Sequence, residues 1–149
     1  MKKRKKRTNT KIYQKKQIKK AQRRCLKLWK ECVKLRAGNC CEAPGCKEAE
    51  LLAAHHIESY DLNPYLRYFM DNGLCLCAKK HHKFTKYSIH KSGLFILKIQ
   101  RKFPKRFANL QAYMEEVELQ QPVRDLEYYN KIENGLLMYV KFMRINSCS

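Results

Sequence analysis

No run of apolar residues in this 149-residue chain approaches the ~18 that a membrane-crossing helix needs. No signal-peptide core follows the N-terminus, so the expectation is a cytoplasmic protein rather than a membrane or Sec-secreted one. Internal repeats are absent as well, and the length suits one domain of ordinary size. Acidic residues are scarce: 13 Asp and Glu stand against 33 Lys and Arg, a net charge of +20. Residues 1–30 carry 15 basic side chains and no acidic one, and between Asp71 and Glu115 ten Lys/Arg occur without an Asp or Glu. Two acid-free stretches in so small a chain are the electrostatic footprint of a polyanion binder. The basic N-terminal stretch lacks the large aromatic and aliphatic face that anchors helices on anionic membranes, which leaves nucleic acid as the leading partner.

Against these absences, apolar residues at 44% suffice for a core and charged residues at 31% for solubility. Cysteine is abundant, with eight at positions 25, 32, 40, 41, 46, 75, 77 and 148. Five crowd into 40–77, among and just before the histidines. In a reducing compartment, clustered Cys and His read as a metal site rather than a disulfide framework. Cys25 and Cys32 fall on an amphipathic stripe and are expected to act as small buried hydrophobes. Cys148 is read as a bystander.

Along the chain, residues 1–16 are low in complexity and basic, and are expected to be a disordered arm. Ile18, Ala21, Cys25, Trp29, Cys32 and Val33 recur at helical spacing, and Gly38-Asn39 supplies a helix stop. A turn-rich piece, CCEAPGC, follows. Glu50 to Ile57 reads as a strand, 58–71 as a long aromatic loop and Gly73 to Cys77 as a second short strand. A lysine- and histidine-rich helix is expected at 78–87. Leu94 to Ile99 is apolar but of ambiguous type. Phe103, Phe107, Leu110, Met114 and Val117 trace one helix stripe. Leu126, Tyr129, Ile132, Leu136, Val140 and Met143 trace another, with Gly135 a possible kink. The expected organisation is an arm over 1–16, a core with its N-terminal helix over 17–100, and a helical extension over 101–149 packed on the same domain. The class is α+β.

Cys41-x4-Cys46 and Cys77-x3-His81 form two paired-ligand knuckles thirty residues apart. Zinc favours four N/S ligands in a tetrahedron, and two turn-borne pairs deliver that while stapling distant segments. With four protein ligands no position stays open, so such a zinc is structural and contributes folding energy. Cys40 and Cys75 are adjacent competitors for the ligand role. Between the knuckles lies His55-His56, and adjacent strand residues face opposite ways, so the two rings must do different work. One can ligate a divalent ion while the other activates water.

The order of these pieces resembles the HNH endonucleases, the treble-clef zinc-finger branch of the ββα-metal (His-Me finger) nucleases, and more narrowly their phage-type members. The matching residues are Leu35-Arg36-Ala37-Gly38-Asn39, Cys41 to Cys46, Ala54-His55-His56-Ile57, Leu66-Arg67-Tyr68, Asp71-Asn72-Gly73, Leu76-Cys77-Ala78 and Ser88-Ile89-His90-Lys91. They span roughly residues 26–92. The resemblance implies a ββα-metal core in which His55 binds the catalytic divalent ion and His56 is the general base. Asn72 would pin the loop that orients the base, and His82 would complete the metal and phosphate site. The family spacing C-x2-H-H is one residue longer here, Cys77-Ala78-Lys79-Lys80-His81-His82. Either His81 ligates zinc and His82 is catalytic, or Lys80 takes the zinc position and His81 is catalytic. The first keeps zinc fully ligated, because a lysine would have to lose its proton to replace a ligand.

The implied reaction is hydrolysis of a DNA phosphodiester with Mg²⁺ or Mn²⁺, leaving 5′-phosphate and 3′-hydroxyl ends. A neutral histidine suits the base role, and a hard cation on the phosphate would stabilise the leaving oxygen. Lys79, Lys80, Lys83 and Lys86 are the expected phosphate contacts, and Arg67 in the loop is an expected groove contact. Two other readings share the fold. One is a non-catalytic zinc-finger binder, and the other is a packaging or recombination accessory active only with a partner. Oligomeric state is open from sequence.

Overall fold

A computed structural model describes residues 2–78 and 92–146, with residues 2–9 as backbone alone. Its class is α+β: among the described residues, four helices surround a two-stranded antiparallel sheet. Helix α1 runs Lys2–Arg36 without interruption. It takes in the basic stretch expected to be a disordered arm. No Gly or Pro occurs from Lys2 to Arg36, so nothing in the sequence breaks the backbone ladder there. The helix stops where expected. Gly38 (φ 59°) and Asn39 (φ 52°) turn into the left-handed region, and their N–H groups close on Leu35 O and Lys34 O, both at 2.9 Å.

Strand β1 (Leu52–His56) pairs with β2 (Gly73–Cys77), with Leu52 opposite Cys77 and His56 opposite Gly73. Between them the long loop is not featureless. It holds two short 3-10 turns, Pro64–Tyr68 and Met70–Asn72. Three further helices follow: α2 (Gly93–Lys102), α3 (Pro104–Gln120) and α4 (Leu126–Asn146). The ambiguous apolar run at Leu94 is thus helical, begun by Ser92, whose Oγ accepts from Phe95 N at 3.2 Å. Helix α4 runs through Gly135 as a single element.

The sheet divides the core into two layers. On one face Cys75 and Ala54 meet Ala21, Cys25, Trp29, Cys32 and Val33 of α1 and Tyr129, Leu136 and Val140 of α4. On the other face Leu74 and Leu76 meet Ile57, Leu66, Phe95, Ile99 and Leu110. β2 is buried at every position because it is covered from both sides. Helices α1 and α4 run parallel, tied by Gln22–Tyr129 at 2.9 Å, Arg24–Glu133 at 2.7 and 2.8 Å, and Arg144–Glu31. Cys25 and Cys32 sit inside that seam as small buried hydrophobes, their thiols facing Tyr129 O and Leu136 O. Among the described residues no helix is long and apolar enough to cross a membrane. The expected helix at 78–87 lies outside the described residues, apart from its first position.

Candidate functional site

Two features built by the sheet carry chemistry. The first is a thiol cluster. The Gly38-Asn39 turn sends residue 41 back along the sheet edge, where Cys41 N donates to Glu48 O at 2.8 Å. Gly45 (φ 73°) closes the CCEAPGC turn, and Cys46 N returns to Ala43 O at 3.0 Å. The Sγ atoms of Cys41, Cys46 and Cys77 consequently lie within 4.8 Å of one another. Cys46 Sγ and Cys77 Sγ are 3.8 Å apart. A zinc tetrahedron with Zn–S arms of ~2.3 Å has edges of about 3.8 Å, so the spacing fits a shared ion. Burial pushes the Cys41 thiol up, which a bound cation would reverse by holding the thiolate.

Of the competing cysteines, Cys40 is exposed and Cys75 is buried under α1. Neither belongs to the cluster among the described residues. Cys40 adjoins Cys41 in extended chain, where neighbours point apart, and Cys75 lies two residues from Cys77 along β2, about 6.6 Å, which is beyond the reach of a shared ion. Three thiols are in place for a structural zinc. His81, expected as the fourth ligand, lies outside the described residues.

The second feature is the histidine strand. His55 shares a sheet face with Leu74, and His56 shares the opposite face with Gly73. The His56 ring stacks on Trp29, with centroids 4.0 Å apart and planes 5° from parallel, and Tyr60 meets it edge-on at 4.7 Å. Its Nε2 donates to Arg67 O at 2.9 Å. A carbonyl only accepts, so in the neutral ring Nδ1 holds the lone pair. Opposite the ring, Gly73 has no room for a Cβ. One would overlap Val33 Cγ2 and stand 3.1 Å from Trp29 Cζ2. The glycine lets α1 press Trp29 against the histidine.

Asn72 holds the intervening loop. Its side chain is fully buried; Oδ1 accepts from Glu58 N at 2.7 Å, and Nδ2 donates to Glu58 O at 3.1 Å and Leu66 O at 3.0 Å. The start and the middle of the loop are thereby fixed on one carboxamide at its end, and the residue after Leu66, Arg67, presents the carbonyl that accepts the His56 N–H. The Arg67 guanidinium lies 4.6 Å over the Tyr60 ring. Lys79, Lys80, His82, Lys83 and Lys86 lie outside the described residues, as does His81. Their share of the expected site rests on the sequence.

Sequence reasoning passed over Glu42, Arg36 and Arg106. The Glu42 carboxylate is buried, accepting from Arg106 Nη2 and Cys75 N, both at 2.8 Å. Arg36 reaches Met70 O and Gly73 O, each at 2.6 Å, and stands 3.6 Å from Asp71. Burial, with Arg106 nearby, pulls the Arg36 guanidinium down from its ordinary value, and Glu42 and Asp71 oppose this. This network locks the Asp71-Asn72-Gly73 segment against the thiol turn and α3. The missed signal was an acid inside the cysteine turn, in a chain where acids are rare. Comparison with family models, with curated proteins and with solved structures returned no match for this chain.

Proposed function

We propose that the protein is a metal-dependent DNA endonuclease of the HNH type, with a ββα-metal site built on β1 and β2. The observation that carries the reading is the shared loop: Asn72 grips it at Glu58 and Leu66 while the Arg67 carbonyl grips His56. A general base must keep one tautomer and one direction during turnover, and a backbone acceptor on a pinned loop provides both. In this reading His56 Nδ1 takes the proton of the attacking water. His55, on the other sheet face, ligates a divalent ion (Mg²⁺ or Mn²⁺), and His82 or His81 completes its site. The ion would supply charge neutralisation at the scissile phosphate. The thiols of Cys41, Cys46 and Cys77, with His81, hold a structural zinc that fixes the end of β2. DNA is the substrate class that the charge of +20 favours.

A second reading, a non-catalytic zinc-finger binder, draws on the ring packing of His56 between Trp29 and Tyr60, which is also how a structural histidine sits. Nicking of supercoiled plasmid with Mg²⁺ or Mn²⁺ separates the two. The parent should nick, and EDTA should stop it. His56→Gln keeps a side-chain N–H for Arg67 O but cannot act as a base, so it should bind DNA and fold while losing nicking by at least about 10²-fold. Binding without metal-dependent cleavage in the parent favours the zinc-finger reading.

A further inference from the structure

The long N-terminal helix carries a stripe of cations that the nuclease motifs do not include. At 100° per residue, Lys19, Arg23, Lys27, Lys30 and Lys34 fall within an arc of about 80° over about 22 Å of helix. The first four are exposed and Lys34 is half-buried. None of the five forms an ion pair among the described residues. By contrast, Arg24, one residue from the stripe, is paired with Glu133 of α4, and Arg36 at the helix end is paired with Asp71. The opposite side of α1 is clamped in the core through Cys25, Trp29 and Cys32, so the stripe is held in a fixed direction.

The stripe meets the loop. Lys19, Gln22, Arg23, Leu26 and Arg67 line a recess of about 280 Å³. Arg67 Nε is buried and has no hydrogen-bond partner among the described residues. A cationic recess with a spare buried donor suits an anionic oxygen. The carbonyl of the same Arg67 holds His56.

We propose that α1 is a track for the phosphate backbone of a nucleic-acid duplex, running over Lys34, Lys30, Lys27, Arg23 and Lys19, with a phosphate seated beside Arg67. This rests on the nucleic-acid part of the reading above and not on cleavage. An anionic membrane is the poorer occupant, because between Lys19 and Lys34 the arc holds only Lys and Arg and offers no large apolar side chain to insert. Phosphate contacts of this kind give affinity without sequence preference.

The test is fluorescence anisotropy of a labelled B-form duplex titrated with the full chain at several salt concentrations. The test variant is Lys19→Gln/Arg23→Gln/Lys27→Gln/Lys30→Gln. A control, Lys98→Gln/Arg101→Gln/Lys105→Gln/Lys141→Gln, removes four exposed charges elsewhere. Each lost phosphate contact lowers the slope of log K against log salt by about 0.9, so the track variant should lose about 3.6 and the control far less. Arg67→Gln should lose about one contact more. All substitutions are on exposed or loop positions, and circular dichroism checks that helix content is kept. Equal losses in the two quadruple variants would mean that only net charge matters, overturning the track. An unchanged slope in the track variant would do the same while leaving DNA binding intact. A parent that does not bind duplex overturns the track and the nucleic-acid reading together. Binding to phosphatidylserine vesicles through the same four residues, with no duplex binding, assigns the stripe to membrane instead.

Discussion

Asn72→Ala removes three hydrogen bonds from a fully buried side chain: one accepted from Glu58 N and two donated, to Glu58 O and Leu66 O. Each bond is worth about 1 kcal/mol net, and an acceptor stranded away from water costs more. Glu58 is exposed, so its backbone groups can turn to water, whereas Leu66 is buried and its carbonyl bears the larger loss. The expected destabilisation is about 3 kcal/mol. With an m-value near 2 kcal/mol/M, the urea midpoint should fall by about 1.5 M. Asn72→Asp is the sharper control. It keeps the acceptor for Glu58 N but turns a carboxylate oxygen toward two carbonyls, so at neutral pH it should destabilise at least as much as alanine. Amide exchange at Glu58 N should accelerate in the alanine variant, and the His56 ring nitrogen shifts should broaden as Arg67 O loses its fixed place. A midpoint shift under about 0.3 M in Asn72→Ala would refute the assignment of the loop's anchorage to this carboxamide.

Further outcomes follow from the same geometry. The purified chain should hold one zinc per molecule by elemental analysis; Cys46→Ser or Cys77→Ser should lose it, and Cys40→Ser or Cys75→Ser should keep it. A chelator should lower the melting temperature of the parent but not of the metal-free variants. Gly73→Ala should cost about 1–3 kcal/mol in chemical denaturation, because its methyl would collide with Val33 and crowd Trp29. Hydrogen bonding from Arg24 holds the Glu133 carboxyl below its ordinary value, so that pair contributes above the unfolded carboxylate range and is lost as pH falls through the lowered folded value. Arg24 is exposed, so Glu133→Gln should lower the denaturation midpoint only slightly at pH 7 and not at all well below pH 4.

How much of this was legible from residues alone depends on how local the signal is. The strands at His55-His56 and Gly73–Cys77, the stop at Gly38-Asn39 and the stripes of α3 and α4 were all readable, because periodicity and turn chemistry act over a few residues. The apolar run at Leu94 resisted, since six residues fit a strand or a helix turn equally and only the Ser92 cap decides. The arm at 1–16 was read from low complexity and basic composition, and helix α1 starts at Lys2. Choosing Cys41 over Cys40 needed the direction of a turn, and excluding Cys75 needed the placement of the thiol cluster at the far end of β2. The Arg36–Glu42–Arg106 network joins residues up to 70 positions apart and leaves no local pattern. Trp29, the one tryptophan, looked like any core position until its ring met His56.

The parallel seam between α1 and α4 has a temporal consequence. Its contacts join residues 104 to 113 positions apart, so the helix made early in synthesis finds its cover only when the last one is made. At ~5–20 residues per second on the ribosome, that delay is about 5–20 s. Throughout it Ala21, Cys25 and Cys32 lack the α4 side of their cover. The basic stripe on the other side of the same helix keeps nascent chains apart by charge during that interval, so the residues that would follow a phosphate backbone in the finished protein also act as its solubility guard while it is being born.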